Sequence, residues 1–328
     1  MQANEDRCGP PPPRIRYSFL KILTGSDLSR RRLPLMAADS GRRGPAVWLT
    51  ACGHGDEVGG IVIIQDIFKR LRKTPLLRGA LYAFPLMNPI GFETSSRQIT
   101  LSKEDLNRSF PGNPSGSLGE RIAEKIFTTI IETRPSLVLD LHNDWIKSIP
   151  YTVVDAPPGA DRKAVHAKAK VFGEKIGFVT VGDPQALKTT LSYCLIQRGI
   201  PALTLELGES YTVNERIIAY GVQSIWNLLA DLGMTRAMGD AAGYPVPQAY
   251  RGKVLRYSDR PFSSTSGIIR FLVKAGDLVR AGQPVARTYN AFGRLQETLF
   301  VREEGIVLGH TDSSVVFPGV RVLAFGNP

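Results

Sequence analysis

Cysteine is scarce in this chain, with three in 328 residues. Cys8, Cys52 and Cys194 are too scattered for a disulfide framework or a cysteine-built zinc site. No apolar run approaches the length that spans a bilayer. Met1 to Gly9, followed by four prolines, has no apolar core of the signal-peptide type. These absences make a cytoplasmic protein without a membrane partner the expectation. Histidine is also rare, at four residues, so the position of each one carries information.

What is present describes an ordinary globular protein, 43% hydrophobic and 22% charged. The length suits one large α/β domain with a small appendix, or two medium domains. The net charge of +11 has two readings. A basic surface attracts nucleic acid; alternatively, a few inward arginines hold a small anionic substrate and the rest are solvated. The dense clusters, Arg30-Arg31-Arg32 and Arg42-Arg43, lack the interleaved aromatics of a stacking platform. A nucleic-acid partner is therefore not expected.

From about Ile15 to about Leu232, short apolar runs alternate with longer amphipathic segments. Strands are predicted at Leu33–Ala37, Ala46–Ala51, Gly79–Pro85, Ser136–His142, Tyr151–Val154 and Ala202–Leu207. Between them, Val58 to Lys73 has apolar residues at 61, 64, 67, 68 and 71, a helical spacing. Ser117-Leu118-Gly119-Glu120 is a capping box that opens a helix to about Thr133. Ala164–Ile176 and Asn214–Leu232 complete the helices. The alternation predicts a mixed twisted sheet with helices on both faces, and ligands bind such sheets outside the carboxyl ends of their strands.

Residues 236–247 read as a linker, small and rich in glycine and proline. Beyond it come short strands and frequent glycines, with Ser266–Ile269 leading to Ala281–Val285 echoed by Glu304–Val307 leading to Pro318–Val322. This duplication predicts a small all-β barrel-sandwich that looks like the lipoyl/biotinyl carrier fold. A carrier needs a lysine at its hairpin tip, and residues 289–294 have none; a structural or access-controlling role follows. The expected division is a disordered tail over 1–14, an α/β domain over 15–240 and a β barrel-sandwich over 241–328.

The chemistry concentrates at a few strand ends. Gly53-His54-Gly55-Asp56-Glu57 follows the run Ala46–Ala51 and offers an imidazole and a carboxylate three residues apart. Asp56 reads as a turn residue that places Glu57 on the following helix. His142 ends a second strand, and two histidines with one glutamate leave one tetrahedral position for water, as in catalytic zinc sites. Cys52 reads as packing. Asp140 lies two residues before His142, on the same strand face, and supports it. His166 falls on a lysine-rich, exposed helix face and His310 in the C-terminal part, neither a good ligand candidate.

Asp105-Leu106-Asn107-Arg108-Ser109-Phe110-Pro111-Gly112 is a plain surface loop if taken alone. Between two ligand strands, Asp105 can orient a ligand histidine, and Asn107 with Arg108 can fork a substrate carboxylate. Arg97 is a further cation for the same cavity, or a solvated loop charge. Glu206, flanked by apolar strand residues, is costly to bury unpaired. It is either paired to an arginine or set as a general base, with Glu209 and Asp140 as the competing carboxylates.

In this order, HGDE, DLNRSFPG, DLH, LELG and a glycine-rich β appendix resemble the succinylglutamate desuccinylase/aspartoacylase family of the zinc carboxypeptidase superfamily. The resemblance covers nearly the whole chain after about residue 15. It implies His54, Glu57 and His142 as ligands of one zinc ion per chain, and Glu206 as general base and proton shuttle. It further implies Arg97 as oxyanion stabiliser, Asn107 and Arg108 as carboxylate holders, and Asp105 as the partner of a ligand histidine. The tyrosine that some relatives bring from the C-terminal domain has no clear match, Tyr289 being a guess. The activity implied is zinc-dependent removal of an acyl group from an N-acyl amino acid or a similar small carboxylate. The alternatives are a carboxypeptidase acting on short peptides and, in another class, a metal-free binding protein that keeps the fold. The acyl group, the amine and the oligomeric state, a homo-oligomer included, stay open.

Overall fold

The computed structural model describes residues 14–24, 28, 30–156, 159–183, 187–239 and 243–328. The tail expected over 1–14 lies outside these residues except for Arg14, which starts the first strand. So do Cys8 and the 240/241 boundary.

The chain opens with an antiparallel pair, β1 (Arg14–Thr24) and β2 (Arg30–Asp39). There follow β3 (Ala46–Ala51), α1 (Gly59–Leu71), β4 (Ala80–Phe84), the short α2 (Pro89–Glu93) and α3 (Leu118–Glu132). Next come β5 (Leu137–Asp144), β6 (Lys147–Ser148), β7 (Pro150–Val154), α4 (Lys163–Ile176) and β8 (Val179–Gly182). The short α5 (Leu191–Gln197), β9 (Ala202–Glu209) and α6 (Glu215–Asp231) lead into β10 (Val254–Ser258). The rest is all β: β11 (Gly267–Phe271), β12 (Leu278–Val279), β13 (Pro284–Tyr289), β14 (Leu295–Phe300), β15 (Gly305–His310), β16 (Val315–Val316) and β17 (Leu323–Asn327).

One mixed sheet runs in the order β1-β2-β4-β3-β5-β9-β7-β8-β10-β17-β15-β12. Its centre, β4-β3-β5-β9, is parallel. Parallel strands are covered on both faces, so they read as unbroken apolar runs, as Ala46–Ala51 does. On one face α1, α4 and α6 bury Ile63, Phe68, Phe172 and Trp226 against Leu139 and Leu205. On the other, α3 and α5 close over Trp48, Phe84 and Val138. The capping box that opens α3 is formed in both directions between Ser117 and Glu120. Among the described residues no helix is long and apolar enough to cross a membrane.

The sheet does not stop before the C-terminal part. Val254–Arg256 pair in parallel with Thr180–Gly182, joining β10 to β8, and β17 and β15 follow. A second, antiparallel sheet, β14-β13-β11-β16, faces this extension across a core of Ile269, Val285, Leu299, Val307 and Phe325. The linker segment is pinned where described: Tyr244 packs edge-on against Phe178 and Tyr220, and Val246 is buried. The wholly buried Phe68 anchors α1 to the sheet. Phe68→Ala is expected to cost about 3–5 kcal/mol, read as a lower urea midpoint with an unchanged slope. A midpoint within error of the unaltered protein would show that the α1 layer does not hold the fold.

Candidate active site

The loop after β3 turns sharply. Cys52 takes a positive φ of 54°, its thiol donates to the His54 carbonyl, and the Glu57 amide closes back onto the same carbonyl at 3.2 Å. Gly55 packs against the 91–92 backbone; a Cβ there would lie 2.0 Å from the Gly91 carbonyl carbon, so no larger residue fits. Helix α1 begins only at Gly59. Glu57 was expected on the helix and instead sits in the turn ahead of it. Its position is held from outside by the Asn143 amide, which donates to Oε2 at 3.1 Å.

His142 lies on β5 beside Glu206 on β9. The two histidines converge on Glu57, with His54 Nδ1 2.6 Å from Oε1 and His142 Nδ1 2.7 Å from Oε2. Their other nitrogens have partners of their own. His54 Nε2 lies 3.1 Å from Asp105, and His142 Nε2 lies 2.9 Å from Asp140, whose second oxygen accepts from Thr50 at 2.6 Å. Each ring thus stands between two carboxylates, and the Arg97 guanidinium lies 3.3 Å from His54 Nδ1. Three carboxylates around two imidazoles favour positive charge at the site, as protons, as Arg97 or as a bound cation. Burial pulls the His142 pKa down, but Asp140 and Glu57 outweigh it and hold it well above the usual value. Burial likewise raises Glu57, yet His54 and His142 hold it far below the carboxylate range. One donor atom from each of the three residues lies within 4.8 Å of the others. Two imidazole nitrogens and a carboxylate, each oriented by an outer partner, fit a divalent ion such as zinc.

Glu206 faces the same cavity, which measures about 230 Å³. Burial, with Asp144 adding to it, pushes its pKa up to about 8. Its buried Oε2 has no hydrogen-bond partner among the described residues. The competing Glu209 instead accepts from Asn214, the N-cap of α6, and does not line the cavity. Arg97, half-exposed, donates to Asp105 Oδ2 at 3.1 Å and lies 3.6 Å from Glu57. Asn107 is buried; its Oδ1 accepts the Leu191 amide at the start of α5, while its Nδ2 lies 3.3 Å from His142. Arg108 bonds the Asn107 carbonyl and also lines the cavity.

Several cavity residues escaped the sequence reading. Asp144 accepts from the Tyr151 hydroxyl at 2.7 Å, Asp155, Thr190 and Ser192 also line the cavity, and Tyr257 and Arg321 arrive from the C-terminal part. The two-residue period of β7 groups Tyr151 with Val153, but nothing local marked Tyr257 or Arg321. Tyr289 instead lies on β13 in the four-stranded sheet, beside Arg270. His166 is not on an exposed face: it is buried, with Nε2 2.8 Å from the Asp155 carbonyl, because its side of α4 turns toward the sheet. His310 stacks on Phe271 with ring centroids 4.1 Å apart.

A mixed sheet carrying this triad outside its carboxyl ends is the carboxypeptidase-like arrangement. A metallo-carboxypeptidase from Burkholderia cenocepacia has the same fold, with a TM-score of 0.54 over 66% of this chain and 64% of that one, at 16% identity. Residues 43–232 match the succinylglutamate desuccinylase/aspartoacylase catalytic domain, and the chain belongs to that family. It is 30% identical to the N-alpha-acetyl-L-2,4-diaminobutyric acid deacetylase of Halomonas elongata over 84% of this chain and 80% of the relative. It is 26% identical to the succinylglutamate desuccinylase of a Shewanella species, over about half of each chain (50% and 51%). The product-bound ectoine utilization protein of Ruegeria pomeroyi shares its fold at a TM-score of 0.80, with 22% identity over 96% of this chain and 95% of that one.

Proposed function

We propose that this protein is a zinc-dependent amidohydrolase that removes an acyl group from a small N-acyl amino acid. The observation that carries the reading is the convergence of His54 Nδ1 and His142 Nδ1 on Glu57, with the unpaired Glu206 on the adjacent strand. The relatives named for a deacetylase and a desuccinylase support it.

His54, Glu57 and His142 would hold the ion, with Asp105 and Asp140 fixing the two rings. A zinc ion there supplies Lewis acidity and lowers the pKa of water at the site to about 7. Glu206 accepts the proton of the attacking water and returns it to the departing amine; burial raises its proton affinity toward neutrality, where one group does both best. Arg97, free on its solvent side, donates to the oxyanion that forms as the amide carbonyl is attacked. Asn107, through Nδ2, and Arg108 hold the substrate carboxylate. We assign catalysis to residues 15–240 and the narrowing of the cavity to residues 241–328, through Tyr257 and Arg321.

The test is a panel of N-acyl amino acids and short peptides offered to zinc-loaded protein, with the metal content measured alongside. Hydrolysis of the acyl amino acids is expected. Cleavage confined to peptides would make the protein a carboxypeptidase, and failure to take up a divalent ion would make it a metal-free binding protein. Arg97→Ala should lower turnover by about 10²–10³-fold, the usual cost of one oxyanion donor, with metal content unchanged. Turnover near that of the unaltered protein would remove Arg97 from the mechanism.

A further inference from the structure

Just past His142, β5 and β9 fall out of step. Their register passes from His142 opposite Glu206 to Asp144 opposite Glu209, so Leu207 and Gly208 stand against Asn143 alone. Gly208 makes the extra step at a φ of 77°. Such a step is rare in a parallel pair and disrupts the ladder locally, so buried carbonyls there need donors from elsewhere. The Asn143 side chain supplies them. Its Nδ2 donates to the Leu207 carbonyl at 3.2 Å and to the Glu209 carbonyl at 3.0 Å.

The other half of the same carboxamide holds the start of α1. The first amides of a helix have no acceptor inside it, and Oδ1 accepts from the first of them, Gly59, at 3.1 Å. Asn143 also gives its own amide to Glu57 Oε2 at 3.1 Å. The approach to Gly59 is close: a Cβ there would lie 2.9 Å from Nδ2 and 3.0 Å from Oδ1. Gly59 does not take a positive φ, so its backbone would accept alanine, the better helix former. What keeps alanine out is the buried Asn143 side chain. The loop is fastened elsewhere by backbone alone, Gly55 donating to the Ser96 carbonyl and Tyr211 to the Asp56 carbonyl, each at 2.9 Å.

Resting on the reading of His54, Glu57 and His142 as the metal ligands of a deacylase, we infer that Asn143 is a positioning residue for the ion. Its side chain uses the step in β9 as an anchor and holds the start of α1 against it. Its main-chain amide aims the Glu57 carboxylate. The third ligand is thereby set from a neighbouring strand, two residues before its own helix begins.

The test is a double-mutant cycle of Asn143→Ala and Gly59→Ala, read by competition for zinc against a chelating dye and by amide hydrogen exchange of the metal-free protein. Asn143→Ala should weaken zinc binding about 10–100-fold, the usual share of a residue that orients a ligand. Gly59→Ala pushes the same carboxamide aside and should also weaken it. Once residue 143 is alanine the collision is gone, so adding Gly59→Ala should change the affinity by no more than about twofold. In the metal-free Asn143→Ala protein, exchange should quicken at the Glu57 and Gly59 amides while β3 and α3 keep the parent's protection. A side chain that served only the fold would loosen all of these together and leave the zinc affinity of the folded protein unchanged. That pattern overturns the inference, as do two single losses that multiply in the double variant. Should Asn143→Ala not fold, Gly59→Ala decides, and an affinity equal to the parent's overturns the inference. A parent that binds zinc but hydrolyses no N-acyl amino acid overturns the deacylase reading and leaves the positioning role standing where the cycle holds. A parent that takes up no divalent ion removes both.

Discussion

Glu206→Gln is expected to bind one zinc ion per chain and to hydrolyse an N-acyl amino acid about 10²–10⁴-fold more slowly than the unaltered protein, the usual share of a general base. The substitution preserves shape and keeps one acceptor oxygen. It removes only the capacity to take and return a proton. Glu206 is suited to this change because it is not a structural ion pair: its Oε2 is buried without a partner, and no arginine among the described residues bridges to it. Burial, with Asp144 and Glu57 adding to it, raises its pKa to about 8, so the uncharged form that the amide mimics is already well populated at neutral pH. The variant should therefore fold about as stably as the parent, which separates chemistry from collapse. The check is turnover against metal content and the thermal midpoint in one preparation. Substantial turnover would move the base elsewhere. Glu209 is then the rival, although its side chain is engaged with Asn214.

Glu57→Ala is expected to lose the ion itself. Glu57 is the residue on which both imidazoles converge, through separate oxygens, and it also receives the Asn143 amide. Its removal leaves two nitrogen donors and a buried amide without an acceptor. Loss of a residue that only orients a ligand costs about 10–100-fold in metal affinity, and loss of Glu57 should exceed that. Competition for zinc against a chelating dye measures the change. An affinity within tenfold of the parent's would show that the histidines bind the ion without Glu57 and would refute the proposed triad. Exposure of the unaltered protein to a strong chelator should abolish hydrolysis, and added zinc should restore it.

Much of the central architecture was legible because its physics is local. A parallel strand buried on both faces has to be apolar along its length, so β3 was bounded to the residue at Ala46–Ala51. The helix ends were readable where side chains cap them, at Ser117 for α3 and Asn214 for α6. By contrast β1 mixes Arg16 and Lys21 with exposed Tyr17 and Phe19, and shows no clean apolar face. Helix α5 is buried throughout Leu191–Ile196 and too short to display a period. At the site, His54, Glu57, His142 and Glu206 were readable because each ends a strand or follows one. The aspartates that hold the two rings were partly readable: Asp140 by strand alternation, Asp105 only by its neighbours in the chain. Tyr257 and Arg321 were not, since their place depends on the pairing of β8 with β10, which no short pattern encodes.

That pairing also has a bearing on how the molecule comes into being. A polypeptide emerging in order completes β8 at Gly182 long before β10 starts at Val254. Until then β8 is an open edge, carrying the apolar Val179 and Val181 and offering its backbone to any passing strand. The last part of the cavity lining to arrive would be Arg321. A nascent chain can thus hold His54, Glu57 and His142 in order before the C-terminal part of the cavity wall is in place, and the interval between the two is when it is most exposed to aggregation.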